Sequence, residues 1–175
     1  MSKQTGKRTK NQIQKAVFNT YFNSLVITTD YDIRIYNCYT AKLEKCYVDS
    51  RILGNESNNI QAYAEGALFR KYYISDNKGT IECFNMVNGE KLKLVNDAAD
   101  DSEYLKRYSE VLNLKQHDGS LLVRSEDIIS CMTYLHSENR LLVGTASSII
   151  KIYDESNADS SSLHGVFLPC LPCRF

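Results

Sequence analysis

Three pentapeptides far apart in the chain share one chemical order: Ile33-Arg34-Ile35-Tyr36-Asn37, Ile81-Glu82-Cys83-Phe84-Asn85 and Ile150-Lys151-Ile152-Tyr153-Asp154. Each runs aliphatic, charged, small apolar, aromatic, then Asn or Asp. Such recurrence constrains the fold more than any single element, because a repeated unit that cannot bury its apolar surface alone must stack on its copies. Eight or nine residues before each copy lies a second apolar run, Leu25–Thr28, Tyr72–Ser75 and Leu141–Gly144, set off by turn formers. Each pair reads as a β-hairpin.

The unit is larger than a hairpin. After the first two copies come turns, Cys38-Tyr39-Thr40-Ala41-Lys42 and Met86-Val87-Asn88-Gly89-Glu90, followed by short strands Leu43–Val48 and Lys91–Val95. Asn88-Gly89 is a two-residue hairpin signal, since both residues tolerate positive φ. Upstream lie further candidates, Lys15–Tyr21, Ile60–Ala64 and Ile128–Leu135. Four short antiparallel strands per copy make a propeller blade. Unbroken apolar runs such as Leu141-Leu142-Val143 suit sheets covered on both faces better than a sheet with one wet face.

The expected fold class is therefore all-β: a partial β-propeller of about three four-stranded blades, with one helical or irregular insertion. Twelve Tyr, six Phe and only two Pro agree with strands. The aromatic positions 36, 84 and 153 stand 48 and 69 residues apart, against roughly 40–45 per blade, so the second gap holds about twenty extra residues. The expected boundaries are a basic flexible tail over 1–14, blades over about 15–50, 58–96 and 119–168, an insertion over 97–118, and an irregular tail over 169–175. Three blades are fewer than the four to eight that close a ring, so two blade faces are expected to be open. Further blades from a partner chain or from a longer protein would cover them. The ending from Gly165 to Phe175 reads as a departure from the repeat.

Aliphatic-charged-aliphatic-aromatic-Asp after a polar turn resembles the third strand of a WD repeat. Tyr36-Asn37, Phe84-Asn85 and Tyr153-Asp154 stand where that family has Trp-Asp, and Thr40-Ala41-Lys42 and Asn88-Gly89-Glu90 resemble its Thr-Gly-Lys turn. The resemblance covers about residues 15 to 165. It implies a non-catalytic scaffold that binds other proteins, with no cofactor, metal or small-molecule substrate. It also implies a buried network of a turn Asp, a His, a Ser or Thr and the Trp. Thr28 and Asp30 match two of these positions in the first copy, and His117 could stand for the His of the third. The second copy has Asp76-Asn77-Lys78-Gly79 at the turn and the third Ser147-Ser148, and there is no Trp. Without an indole donor, the blades are expected to rely on apolar packing. The third copy, Leu141 to Ser156, is similar to WD-repeat proteins of cilia and flagella, which implies a place in an axonemal assembly.

Other signals are weaker. Twenty-one basic residues balance twenty-one acidic ones, so no net field draws the chain to nucleic acid or an anionic membrane. No acidic residue occurs before position 16, and Lys3, Lys7, Arg8, Lys10 and Lys15 could contact RNA, tubulin tails or phospholipid. A solvated tail is the blander account, and no aromatic is interleaved before Phe18. With no apolar leader and no stretch of 18 apolar residues, neither secretion nor a membrane span is expected, and the compartment is read as cytoplasmic, with the cilium as the resemblance's suggestion.

The six Cys, at 38, 46, 83, 131, 170 and 173, then read as reduced thiols, with Cys83 and Cys131 placed as buried small hydrophobes. Cys170-x-x-Cys173 has the spacing of a redox pair or zinc half-site, which makes a small thiol redox protein one rival reading and a basic-tailed nucleic-acid binder another. His136 and His164 are isolated. In the insertion, Tyr104, Leu105, Tyr108, Val111, Leu112 and Leu114 follow a helical spacing behind an acidic start, reading as a helix docked on a blade edge or offered to a partner. No calcium loop, phosphate loop or nucleophile elbow is present.

Overall fold

The computed structural model describes residues 12–48, 59–95, 128–146, 148–157 and 160–167. They form three four-stranded antiparallel sheets in which consecutive strands are neighbours throughout. The first holds β1 (Ile13–Asn19), β2 (Ser24–Thr29), β3 (Asp32–Asn37) and β4 (Leu43–Val48). The second holds β5 (Ala62–Glu65), β6 (Lys71–Ser75), β7 (Ile81–Asn85) and β8 (Lys91–Leu94). The third holds β9 (Ile129–Leu135), β10 (Arg140–Thr145), β11 (Ile150–Asp154) and β12 (Ser162–Phe167). The protein is all-β, a partial propeller of three blades with no closed barrel among the described residues.

Identical register makes the three sheets copies of one unit. Thr28 pairs with Ile33, Ser75 with Ile81 and Gly144 with Ile150, and farther along Leu25 pairs with Tyr36, Tyr72 with Phe84 and Leu141 with Tyr153. The pairing of third and fourth strands shifts at the same place in every blade, between Ile35 and Tyr36, Cys83 and Phe84, and Ile152 and Tyr153. A bulge re-aims the outer strand and sharpens local twist, so this recurrence lies in the backbone as well as in residue types.

Alternation along each strand sends successive side chains to opposite faces. We call the face toward the next blade leading and the other trailing. The leading face of the first blade (Val26, Ile33, Ile35) packs on the trailing face of the second (Tyr63, Tyr72, Ile74, Phe84) in one buried cluster. The leading face of the second (Ala64, Tyr73, Ile81, Cys83) packs on the trailing face of the third (Met132, Tyr134, Leu141, Tyr153) in another. Aromatic rings fill the first contact: Tyr72 stacks on Phe84 at 5.4 Å and on Tyr47 and Tyr63 at 6.1 Å between centroids. The expected reliance on apolar packing is met by this stack, where each ring pair adds about 0.5–1.5 kcal/mol beyond its buried area.

Several local expectations are corrected. The chain through Ser162–Phe167 does not leave the repeat; it is the fourth strand of the third blade, paired with β11 from Asp154–Ser162 to Ile150–Phe167. Asn88-Gly89 is not a two-residue hairpin: β7 and β8 are joined by residues 86–90, Gly89 alone of the pair has positive φ (+71°), and Asn88 instead accepts the Glu90 N–H at 3.0 Å. Cys131 is exposed, because it lies on the leading face of the last blade, whereas Cys83, on the covered leading face of the middle blade, is buried. Ile150 is 43% exposed for the same reason, although its counterparts Ile33 and Ile81 are fully buried. The insertion at 97–118 and both tails lie outside the described residues, apart from residues 12–14.

Candidate functional site

The third strand ends in the same way in all blades. Asn37 Oδ1 accepts the N–H of Tyr39 at 2.9 Å and of Thr40 at 3.0 Å, Asn85 Oδ1 accepts that of Val87 at 2.8 Å, and Asp154 Oδ1 accepts that of Ser156 at 2.8 Å. The Asn or Asp closing each pentapeptide is thus a turn cap, a role that suits a short side-chain acceptor close to the backbone. The two hydrogen bonds from Ser156 hold the Asp154 carboxyl below the ordinary aspartate range. Tyr36, Phe84 and Tyr153 all point to trailing faces; Phe84 and Tyr153 are buried there, and Tyr36 is half-buried because its face is open.

The polar network implied by the resemblance is not assembled from Thr28, Asp30 and Tyr36. Thr28 Oγ1 is buried without a hydrogen-bond partner, while Asp30 accepts from Gln14 Nε2. The β2–β3 turn is closed one residue along, where Thr29 Oγ1 donates to Asp32 Oδ1 at 2.6 Å and Asp32 Oδ2 pairs with Arg34 at 2.8 Å. In the second blade Asp76 Oδ1 takes that role, accepting the N–H groups of Lys78 at 2.9 Å and Thr80 at 2.8 Å. His117, Cys170 and Cys173 lie outside the described residues, as do Lys3, Lys7, Arg8 and Lys10.

Blades are joined by contacts that residue types alone did not reveal. Lys45 Nζ donates to the Val87 carbonyl at 2.6 Å, and Tyr47 OH to that of Met86 at 3.1 Å. Lys93 Nζ donates to the carbonyls of Asn157 at 3.2 Å and Ser160 at 3.1 Å. Lys45 and Lys93 stand nine residues after Tyr36 and Phe84, a spacing that was available in the sequence. On the first strands, Lys15 Nζ donates to the Tyr63 carbonyl at 3.0 Å and Asn19 Nδ2 to Glu65 Oε1 at 3.2 Å.

Two end faces stand open among the described residues. The trailing face of the first blade carries Phe18, Leu25, Ile27, Tyr36 and Leu43, and a shallow concavity of about 400 Å³ there is lined by Leu25, Ile27, Tyr36, Asn37, Cys38 and Ala41. Phe18 is 51% exposed. The leading face of the third blade presents Leu142, Ile150, Ile152 and Phe167, the last 61% exposed. A smaller cleft of about 220 Å³ lies where the first strands converge, between Lys15, Tyr63 and Cys131. Among the described residues no group of three His, Cys, Asp or Glu is placed to hold a metal ion, and no helix is long and apolar enough to cross a membrane. No family model matches the chain, and no curated protein matches it.

Proposed function

We propose that this chain is a non-catalytic protein-interaction scaffold, an arc of a larger WD-repeat propeller that works in a multiprotein assembly. The observation that carries this reading is the pair of open end faces, whose apolar rows repeat in register the rows buried at the two internal contacts. Apolar sheet surface of this kind is stabilised by removal from water, and contiguous exposed patches mark interaction sites. The pentapeptide order and the turn after it support the WD-repeat assignment, and the similarity of the third copy to ciliary and flagellar members supports a cytoplasmic, axonemal setting.

Photo-crosslinking in the cell tests it. A benzoylphenylalanine replacing Phe18 or Phe167 is expected to join the chain to polypeptide, whereas the same probe replacing Lys78, exposed on the β6–β7 turn, is expected to join it to none. Absence of polypeptide adducts from both end faces would overturn the reading.

A further inference from the structure

We propose that the two open faces bind each other between two copies of this chain, closing a six-bladed ring. The proposal rests on the scaffold reading above and names the occupant of its faces.

Each open face is half of a contact the chain has already made twice. At both internal contacts the leading face offers a pair of small or aliphatic side chains from the third strand, Ile33 and Ile35 or Ile81 and Cys83, and the trailing face answers with an aromatic, Phe84 or Tyr153. The open leading face offers Ile150 and Ile152 in those slots. Tyr36 fills the aromatic slot on the open trailing face, and Leu25 fills the slot of Tyr72 and Leu141. The outer strands agree: Phe167 pairs with Ile150 as Tyr47 pairs with Ile33, and Tyr47 stacks on the Tyr72 ring of the following blade.

A charge on the trailing face does not forbid closure. Arg34 occupies the slot of Glu82 and Lys151, both already buried at internal contacts, and Asp32 neutralises it. The three blades among the described residues favour two copies: two such arcs give six blades, inside the range of four to eight, whereas three would exceed it. Leading face on trailing face is a head-to-tail contact, and two such contacts related by a two-fold axis close without leaving a free end.

Sedimentation equilibrium on the full chain tests the proposal. The expected mass is twice the 20.0 kDa of one chain, reached with rising concentration, while Cys131 becomes protected from thiol reagents. Ile150→Lys and Tyr36→Glu are each expected to sediment as single chains with an unchanged far-ultraviolet β spectrum. Mixed in equal amounts they are expected to recover the pair, since the mixture contains one native contact and one lysine–glutamate contact. If Ile150→Lys loses its β spectrum, Phe167→Lys at the more exposed position replaces it. A wild-type chain that stays at single-chain mass, a mass that grows without limit, or variants that pair like the wild type would each overturn the proposal. Single-chain mass together with cellular crosslinks from Phe18 and Phe167 to other polypeptides would sink the pairing and leave the scaffold reading standing; absence of crosslinks at both would sink the two together.

Discussion

Lys93 of the second blade and Glu155 of the third form an ion pair at 2.8 Å, with side chains only 5% and 1% exposed. Tyr73 OH donates to the same Glu155 oxygen at 2.8 Å, and the other, Oε1, is buried without a partner. A pair this buried contributes little over an apolar one, but removing one member strands the other's charge away from water. Lys93→Met is therefore expected to cost about 3–5 kcal/mol in urea unfolding, and adding Glu155→Leu to recover most of that loss. A single substitution within experimental error of the wild type would show that the pair is not desolvated in solution.

Two equivalent turns give opposite expectations. Ala41 and Gly89 both have positive φ, +54° and +71°, but only glycine adopts that region without steric cost. Ala41→Gly should stabilise by about 0.5–1 kcal/mol, the strain relieved being partly offset by glycine's greater freedom in the unfolded chain. Gly89→Ala should destabilise by about 1–3 kcal/mol, since a Cβ there would also meet the Tyr47 ring at 2.5 Å. Thermal melts of the two variants moving in the same direction would contradict this.

Burial raises the Glu65 carboxyl above its ordinary value of 4.5, against the opposing pull of Asn19 and Lys15. The folded chain therefore holds this proton more tightly than the unfolded one, so Glu65 favours folding at low pH and loses that contribution as pH rises through its folded pKa. Glu65→Gln keeps an acceptor for Asn19 and is always neutral. It should raise stability at pH 7 relative to the wild type and make no difference near pH 3. Denaturation at the two pH values decides it, and a gain of equal size at both would rule out the carboxyl's ionisation as the cause.

Burial also pushes the Cys83 thiol up to about 11, leaving almost no thiolate at neutral pH. In dilute chain, alkylation of Cys83 should proceed only as fast as the blades open, and should accelerate in denaturant to the rate of the exposed Cys38 and Cys46. Peptide mapping after timed labelling reads this directly; native-state modification of Cys83 at the rate of Cys38 would contradict its burial.

The blade count and the third strand of every blade were legible because the pentapeptides combine burial, alternation and a turn cap in five adjacent residues. The first strand of the second blade was read too early. Ile60 is buried but joins no strand, its N–H donating to the Asp30 carbonyl of the previous blade at 2.8 Å. Apolar character alone could not separate a strand residue from a buried joint. Residues 162–167 fell inside the expected third blade but were not read as its fourth strand, because no five-residue turn like 38–42 or 86–90 precedes them in the sequence. Burial of Cys131 was misjudged because exposure at an end face depends on a neighbour and not on the residue. The Lys93–Glu155–Tyr73 cluster joins positions up to 82 residues apart and leaves no local signal.

Apart from the Lys93–Glu155 ion pair, the lysines that bridge blades grip main-chain oxygens, those of Val87 for Lys45 and of Asn157 and Ser160 for Lys93. Every amino acid carries that oxygen, so the grip places no demand on which side chain stands at the receiving position. Substitutions can accumulate there over evolutionary time while the spacing between modules stays fixed. An array built in this way diverges rapidly in its letters and slowly in its shape.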